Sequence, residues 1–468
     1  MIRKTGGVVP EGGEDEREIP GRVRFFFLSA GRFLSYPLVS LCSLLLLTAC
    51  QPETSTPNRP LLFWCSNNAA EITLAREFTD QWQRNEPQTP LRFQPIPEGQ
   101  SSEEIILASV VGKTTPDIYA NMWQGSVEMY AKAGVLVPLD TIPGFLDFIS
   151  ERCDSAVVTE ITSTDGHIYQ VPWKVNPIMT LSNTQALAKL LPATHAGGSA
   201  YTYDAFIAAG EAFKKDLNRD GYTDQWLGYT EVKALWYQRL FNFYPLYLAA
   251  SGGAPLLTIV PGQKARAAFN NQYAVEVFRF LQTLYKNDYF SKERLSATRD
   301  PFLDQRIAIE FTGPWQVSFL KRYGPDLHYQ FYPMPVPASQ RGPIYTYADP
   351  KNIVLFNTCP NPTAAWAFVR TLVDRPGDLR LLELTGQMPR RKNLTTDPFF
   401  AGYLTQNPRL KPFAEQARFL RGVDNHEQIV EVFDIISQEY EACVVYNRKT
   451  PEAAIADAAK AVDVLLGN

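Results

Sequence analysis

The sequence predicts an α/β protein of two or three structural units, with mostly parallel sheet. Three observations lead there. The chain has 468 residues, against roughly 100–200 for one ordinary domain. Its 45% hydrophobic and 20% charged residues are a globular composition, neither disordered nor fibrous. Short apolar runs alternate with amphipathic stretches at the spacing of strand–helix–strand units.

The elements follow in order. Leu61-Leu62-Phe63-Trp64 is a compact apolar run and reads as a buried strand. Residues 71–83 place Ile72, Leu74, Ala75, Phe78 and Trp82 at helical period. Residues 91–96 alternate like a strand, Ser101 or Ser102 caps a helix through Ile105 and Ile106, and 116–120 forms the next strand. Residues 168–183 are extended around Pro172 and Pro177, and 203–216 are helical. The clearest amphipathic helix spans 273–289, where Ala274, Val277, Phe278, Leu281, Leu284 and Tyr285 share a face. Strands are expected at 306–311, 330–337 and 353–356, and helices over 364–373, 414–420, 429–444 and 451–466.

Residues 1–49 differ from the rest. Arg22, Arg24 and Arg32 precede an apolar run at 38–47, which closes in Leu47-Thr48-Ala49-Cys50. The run is shorter than the ~20 residues of a membrane span, and the order of charged, apolar and small residues is that of a secretory signal. The ending resembles a bacterial lipobox, whose cysteine carries the lipid, so 1–49 are expected as signal peptide and 50–60 as lipidated Cys50 and tether. The alternative is an uncleaved anchor helix over 33–49. Either arrangement puts the body outside the cytoplasmic membrane. There, Cys65, Cys153, Cys359 and Cys443 permit three disulfide pairings, among which the sequence does not choose.

Composition excludes other classes. A net charge of −4 is wrong for a partner with a phosphate backbone, so nucleic acid is not expected. Mean hydropathy of −0.19 excludes a polytopic membrane protein. Four histidines supply imidazole chemistry poorly, whereas aromatic residues reach 12%.

Several segments, taken in order across 60–468, resemble the extracellular solute-binding proteins of family 1, the maltose-binding-protein-like carbohydrate receptors of ABC importers. They are Cys50 after a signal, Trp64 closing the first strand, Pro116-Asp117-Ile118-Tyr119 leading to Tyr130-Ala131-Lys132-Ala133-Gly134-Val135, and Asp165-Gly166-His167-Ile168-Tyr169 before an extended segment. Gly313-Pro314-Trp315, Ala365-Trp366-Ala367-Phe368 and Thr385-Gly386-Gln387-Met388-Pro389-Arg390 complete the set. Ser182-Asn183 departs from the family in lacking a Tyr before the Asn.

The resemblance implies a two-lobe periplasmic-binding-protein-like fold of type II, with a hinge and a ligand cleft. By analogy 61–173 plus 345–375 form the first lobe and 174–344 plus 376–468 the second. It also implies a monomer without enzymatic activity that captures a sugar and delivers it to permease subunits.

A sugar has flat C–H faces and a polar rim, so its site needs aromatic plates and a few polar side chains in a concavity. Trp64, Trp123, Trp173, Trp236 and Trp315 are the candidate plates; Gly313 turns the chain before Trp315. Asn67, Asn68, Glu98, Gln124, Tyr347, Asp349 and Arg390 are the candidate polar contacts, because they follow strand ends or lie where the chain recrosses. Separately, Asp216, Asn218, Asp220 and Asp224 stand at positions 1, 3, 5 and 9 of a loop with Gly221 at 6, the front of an EF-hand-like Ca²⁺ site. Leu227 replaces the Glu of position 12, and an Asp/Asn-rich turn is the other reading. No other cofactor is expected. The rival functions are a surface glycosidase or lyase, and a receptor for a polyol or glycerol phosphate. No G-x-S-x-G, H-E-x-x-H or P-loop motif supports an enzyme.

Overall fold

In the computed structural model the described residues are 59–97, 101–191, 200–293, 295 and 300–468. All fall in one compact unit, Pro57–Asn468. The signal segment 1–49, Cys50, tether residues 51–58 and Glu98 lie outside the described residues. No helix of the described residues is long and apolar enough to cross a membrane.

Strand β1 (Leu61–Cys65) leads through Asn68, whose side chain accepts the amides of Ala70 and Glu71, into helix Ala69–Asn85. β2 (Leu91–Pro95) follows, then helix Ser102–Val111 capped by Ser101, then β3 (Ile118–Trp123) and helix Gln124–Lys132. β4 (Val171–Val175) and β5 (Met179–Asn183) are separated by a short break at Pro177. β6 (Trp226–Gly228), β7 (Ile307–Thr312) and β8 (Tyr329–Tyr332) come next, and then β9 (Lys351–Leu355) and β10 (Met388–Pro389). The amphipathic helix expected at 273–289 spans Gln272–Lys286, capped by Asn271, with all six face residues buried.

Among the described residues two large sheets result, with strand orders β10-β4-β9-β3-β1-β2 and β8-β5-β7-β6, beside two two-stranded ones. The expectation of mostly parallel sheet does not hold. β1 is parallel to β2 and β3, but β9 is antiparallel to both β3 and β4, and β10 to β4. In the second sheet only β6 and β7 are parallel. A parallel neighbour needs a helical crossover within one sheet, whereas β9 arrives from the other sheet and can enter in either direction.

The chain therefore passes from the first sheet to the second between β4 and β5, and back between β8 and β9. Helix Arg375–Thr385 holds Glu77 of helix Ala69–Asn85 through Arg380, at 2.8 Å, and β10 closes the first sheet. Leu381 of this helix packs in the core of the first sheet, and Leu382 and Met388 pack with residues of the second. Near the C-terminus, the helix expected at 414–420 is Lys411–Gln416, followed by a short strand, Leu420–Arg421, beside Thr346–Tyr347. The helix expected at 429–444 ends at Tyr440 and continues as a π-turn, Glu441–Val445.

Arg152, 1% exposed, ties the crossing region together. It donates to the carbonyls of Val373 (2.9 Å) and Pro172 (2.8 Å) and to Asp378 (2.6 Å). Asp378 in turn accepts from Arg391 at 2.6 Å. Cys65, Cys153, Cys359 and Cys443 are all free and buried, so none of the three pairings is made. Cys65 and Cys359 belong to the first-lobe core, and Cys443 to that of the second.

Candidate ligand-binding site

Each lobe starts a helix beside a tryptophan. Trp123 ends β3 and precedes helix Gln124–Lys132; Trp315 begins helix Trp315–Tyr323 after β7. Both rings lie over a glycine: a Cβ on Gly125 would stand 2.2 Å from the Trp123 ring, and one on Gly313 2.2 Å from the Trp315 ring. Glycine at these positions lets the indoles fold back against the backbone at the strand ends, where α/β sheets bind ligands.

The turn Trp236–Leu240 and the following Phe241 connect the two rings. Trp123 and Trp236 have centroids 4.8 Å apart at 42°, and Phe241 meets Trp315 edge-on at 6.3 Å. Trp123 is 2% exposed and donates from Nε1 to Tyr347 Oη at 2.8 Å, and Tyr347 is fully buried. Trp315 keeps 38% of its surface open. Of the candidate plates, the structure therefore pairs Trp123 with Trp236 and sets Trp315 against Phe241, at the two ends of this turn, and leaves Trp315 the open one. Trp173 is not among them. Its ring is buried in the first-lobe core, with the Lys174 ammonium 4.4 Å from its centroid.

A polar chain lies where the lobes join. Lys174 and Glu71 form a buried ion pair. Glu71 also accepts from Ser66 Oγ and Gln387 Nε2, each at 2.7 Å. Asn176 donates to Gln387 and to Asp349, each at 3.3 Å. Burial alone would raise the Glu71 carboxyl, but Lys174 and these donors outweigh it and hold it below its usual range. Asp349 adopts φ +38°, a left-handed conformation costly for a residue other than glycine, in the segment between the lobes. Gln124 is 1% exposed, and both ends of its amide lack a hydrogen-bond partner. Asn67 is exposed beyond β1, and Asn68 spends its side chain on the helix cap. Arg390 stands apart, paired with Glu160 at 3.2 Å.

Sequence reasoning missed the pocket next to Phe241. This cavity of about 240 Å³ is lined by Tyr229, Glu231, Gln238, Asn242, Asp300 and Glu310, among others. Burial, with repulsion from Asp300, pushes the Glu310 carboxyl up to about 8. Asn242, 1% exposed, accepts from the Phe243 amide N–H at 2.6 Å. Neither Phe241 nor Glu310 sits in a pattern that separates it from a core aromatic or a strand charge.

In the Asp216 loop the side-chain oxygens are committed to the loop's own amides. Asp216 accepts from Arg219 (2.6 Å) and Gly221 (2.9 Å), Asn218 from Asp220 (2.9 Å), Asp220 from Tyr222 (2.8 Å), and Asp224 from Leu217 (2.8 Å). Among the described residues no three His, Cys, Asp or Glu side chains are grouped to hold a metal ion.

The family model for bacterial extracellular solute-binding proteins matches residues 74–411, and the chain belongs to that family. Among solved structures, an uncharacterized protein from Listeria monocytogenes EGD-e is similar at 24% identity and TM-score 0.74, covering 87% of this chain and 99% of that one. The cyclic alpha-maltosyl-1,6-maltose binding protein from Arthrobacter globiformis is similar at 20% identity and TM-score 0.70, over 87% and 99% of the two chains. The sugar-binding protein MalE from Xanthomonas citri is similar at 18% and 0.70, over 87% and 98%. These likenesses establish the two-lobe fold. No curated protein sequence matches the chain.

Proposed function

We propose that this protein is the extracytoplasmic sugar receptor of an ABC importer, held to the membrane by lipid on Cys50, and that it acts on its ligand by binding alone. One observation carries the reading: tryptophans at helix N-termini of both lobes, each in an aromatic pair, with Trp315 open and its neighbour Phe241 lining a pocket that holds Glu231, Gln238 and Glu310. Flat apolar faces next to hydrogen-bonding groups are what a saccharide ring requires. The printed names of the Arthrobacter and Xanthomonas relatives support a saccharide over other solutes.

The mechanism is a population shift. A sugar touching both lobes binds the closed arrangement better and draws the protein towards it. Moving the closed fraction from about 1% to about 99% takes ~5.5 kcal/mol of differential binding. Parting the lobes separates Trp123 from Trp236, and closing them re-forms that contact around the ligand's edge. The closed form then docks on the permease.

The test is a thermal-shift screen of the purified protein against sugars, polyols and glycerol phosphate, followed by recovery of the ligand. A melting temperature raised by a sugar that is recovered intact supports the receptor. A shift with polyols or glycerol phosphate alone replaces the ligand class. A sugar recovered cleaved overturns the reading in favour of a glycan-cleaving enzyme.

A further inference from the structure

A second cavity, of about 1120 Å³, opens at the other end of helix Gln124–Lys132 from Trp123. Nine residues at 1.5 Å each put Lys132, on its wall, about 14 Å along the helix from Trp123. Both lobes build the groove: 153–166 on the first-lobe side, and 255–265 and 417–426 on the other, with 390–392 between.

Its charge is opposite to that of the chain. Lys132, Arg390, Arg391, Lys392, Arg418 and Arg421 line it against three carboxylates, Asp154, Glu160 and Asp424, in a protein of net charge −4. Carboxylates pair half of these cations: Glu427 holds Lys132 and Asp378 holds Arg391, each at 2.6 Å, from outside the lining. Glu160 is used by Arg390 at 3.2 Å. Asp424 accepts the amides of Leu256 and Leu257, at 2.7 and 3.0 Å, and stands 4.0 Å from Arg421. Lys392 reaches only the carbonyl of Ser150, at 3.0 Å. Arg418 lies over the Phe419 ring at 5.9 Å. Among the described residues, Lys392, Arg418 and Arg421 have no carboxylate within hydrogen-bond distance. Tyr345 is the single Phe, Tyr or Trp on the wall, so the groove lacks the plates a sugar stacks on.

We propose that this groove is a second ligand site, for a small polyanion carrying two or more phosphate or carboxylate groups, distinct from the aromatic site. Guanidinium forks favour such groups through paired, charge-assisted hydrogen bonds. Because both lobes supply the wall, an anion held there favours the lobe placement that keeps these cations together. It therefore couples to whatever binds at Trp315, and the coupling is reciprocal. Arg390, a sugar-contact candidate by sequence, belongs to this groove.

The test is calorimetric titration of the full-length protein with pyrophosphate and, separately, with citrate, at constant ionic strength. Saturable binding of one or both is expected, and the stronger probe tells phosphate from carboxylate. Arg418→Gln with Arg421→Gln should weaken it at least ~10-fold, the scale of losing charge-assisted hydrogen bonds, while Trp315→Ala should leave it unchanged. If the double variant melts early, Lys392→Gln replaces it and must lower affinity in the same sense. The proposal fails if neither probe binds, if the cation variants bind as wild type does, or if Trp315→Ala abolishes binding. Failure of the sugar screen leaves this outcome untouched, because the probes carry no sugar.

Discussion

Replacing Trp315 by alanine should cost the receptor most of one stacking surface. The ring is 38% exposed; of the roughly 250 Å² a tryptophan can bury, about 95 Å² is therefore free for a ligand to cover. At ~25 cal/mol per Å² this corresponds to about 2.4 kcal/mol, or roughly a 50-fold rise in Kd. The fold should lose much less, because the ring's aromatic neighbour is the edge of Phe241 and its base rests on Gly313. The assay is calorimetric titration with whichever sugar gives the largest thermal shift in wild type, beside a thermal melt of the variant. A Kd within about threefold of wild type, ~0.6 kcal/mol, with an unchanged melt, would remove Trp315 from the site and refute the area argument.

Three other outcomes follow from the same geometry. Lys174→Met leaves the Glu71 carboxylate buried with only Ser66 and Gln387, and should cost about 3–5 kcal/mol at neutral pH by urea denaturation. Since Glu71 is held below its usual range, the pair's contribution is present at neutral pH and lost as pH falls through that depressed value, so the deficit must narrow in acid. Glu310 has the opposite sign: with its carboxyl near 8 in the fold, its stabilising proton is kept below its ordinary range of about 4.5 and lost as pH rises towards 8. Stability should fall across that window, and Glu310→Gln should flatten the curve; a variant with the wild-type slope contradicts the burial argument. Chelation with EDTA should leave the melting temperature unchanged, because the Asp216 loop is closed by its own amides. A calcium-dependent rise lost in Asp220→Ala would restore the EF-hand-like reading.

The sequence by itself determined the periodic elements. Helix Gln272–Lys286 and strands β1, β3 and β7 were legible because apolar spacing and side-chain caps are local properties. Gly313-Pro314-Trp315 was legible too, since a glycine two residues before a tryptophan at a strand end carries its geometry in three residues. Tertiary structure decided what depends on chain crossings. It made β9 antiparallel and buried Trp173, a candidate plate by sequence, in the core. It set Phe241 against Trp315, and it gathered Lys132, Arg390 and Arg418, distant along the chain, around one groove. Burial and charge convergence are sums over segments far apart in sequence, so no local pattern contains them.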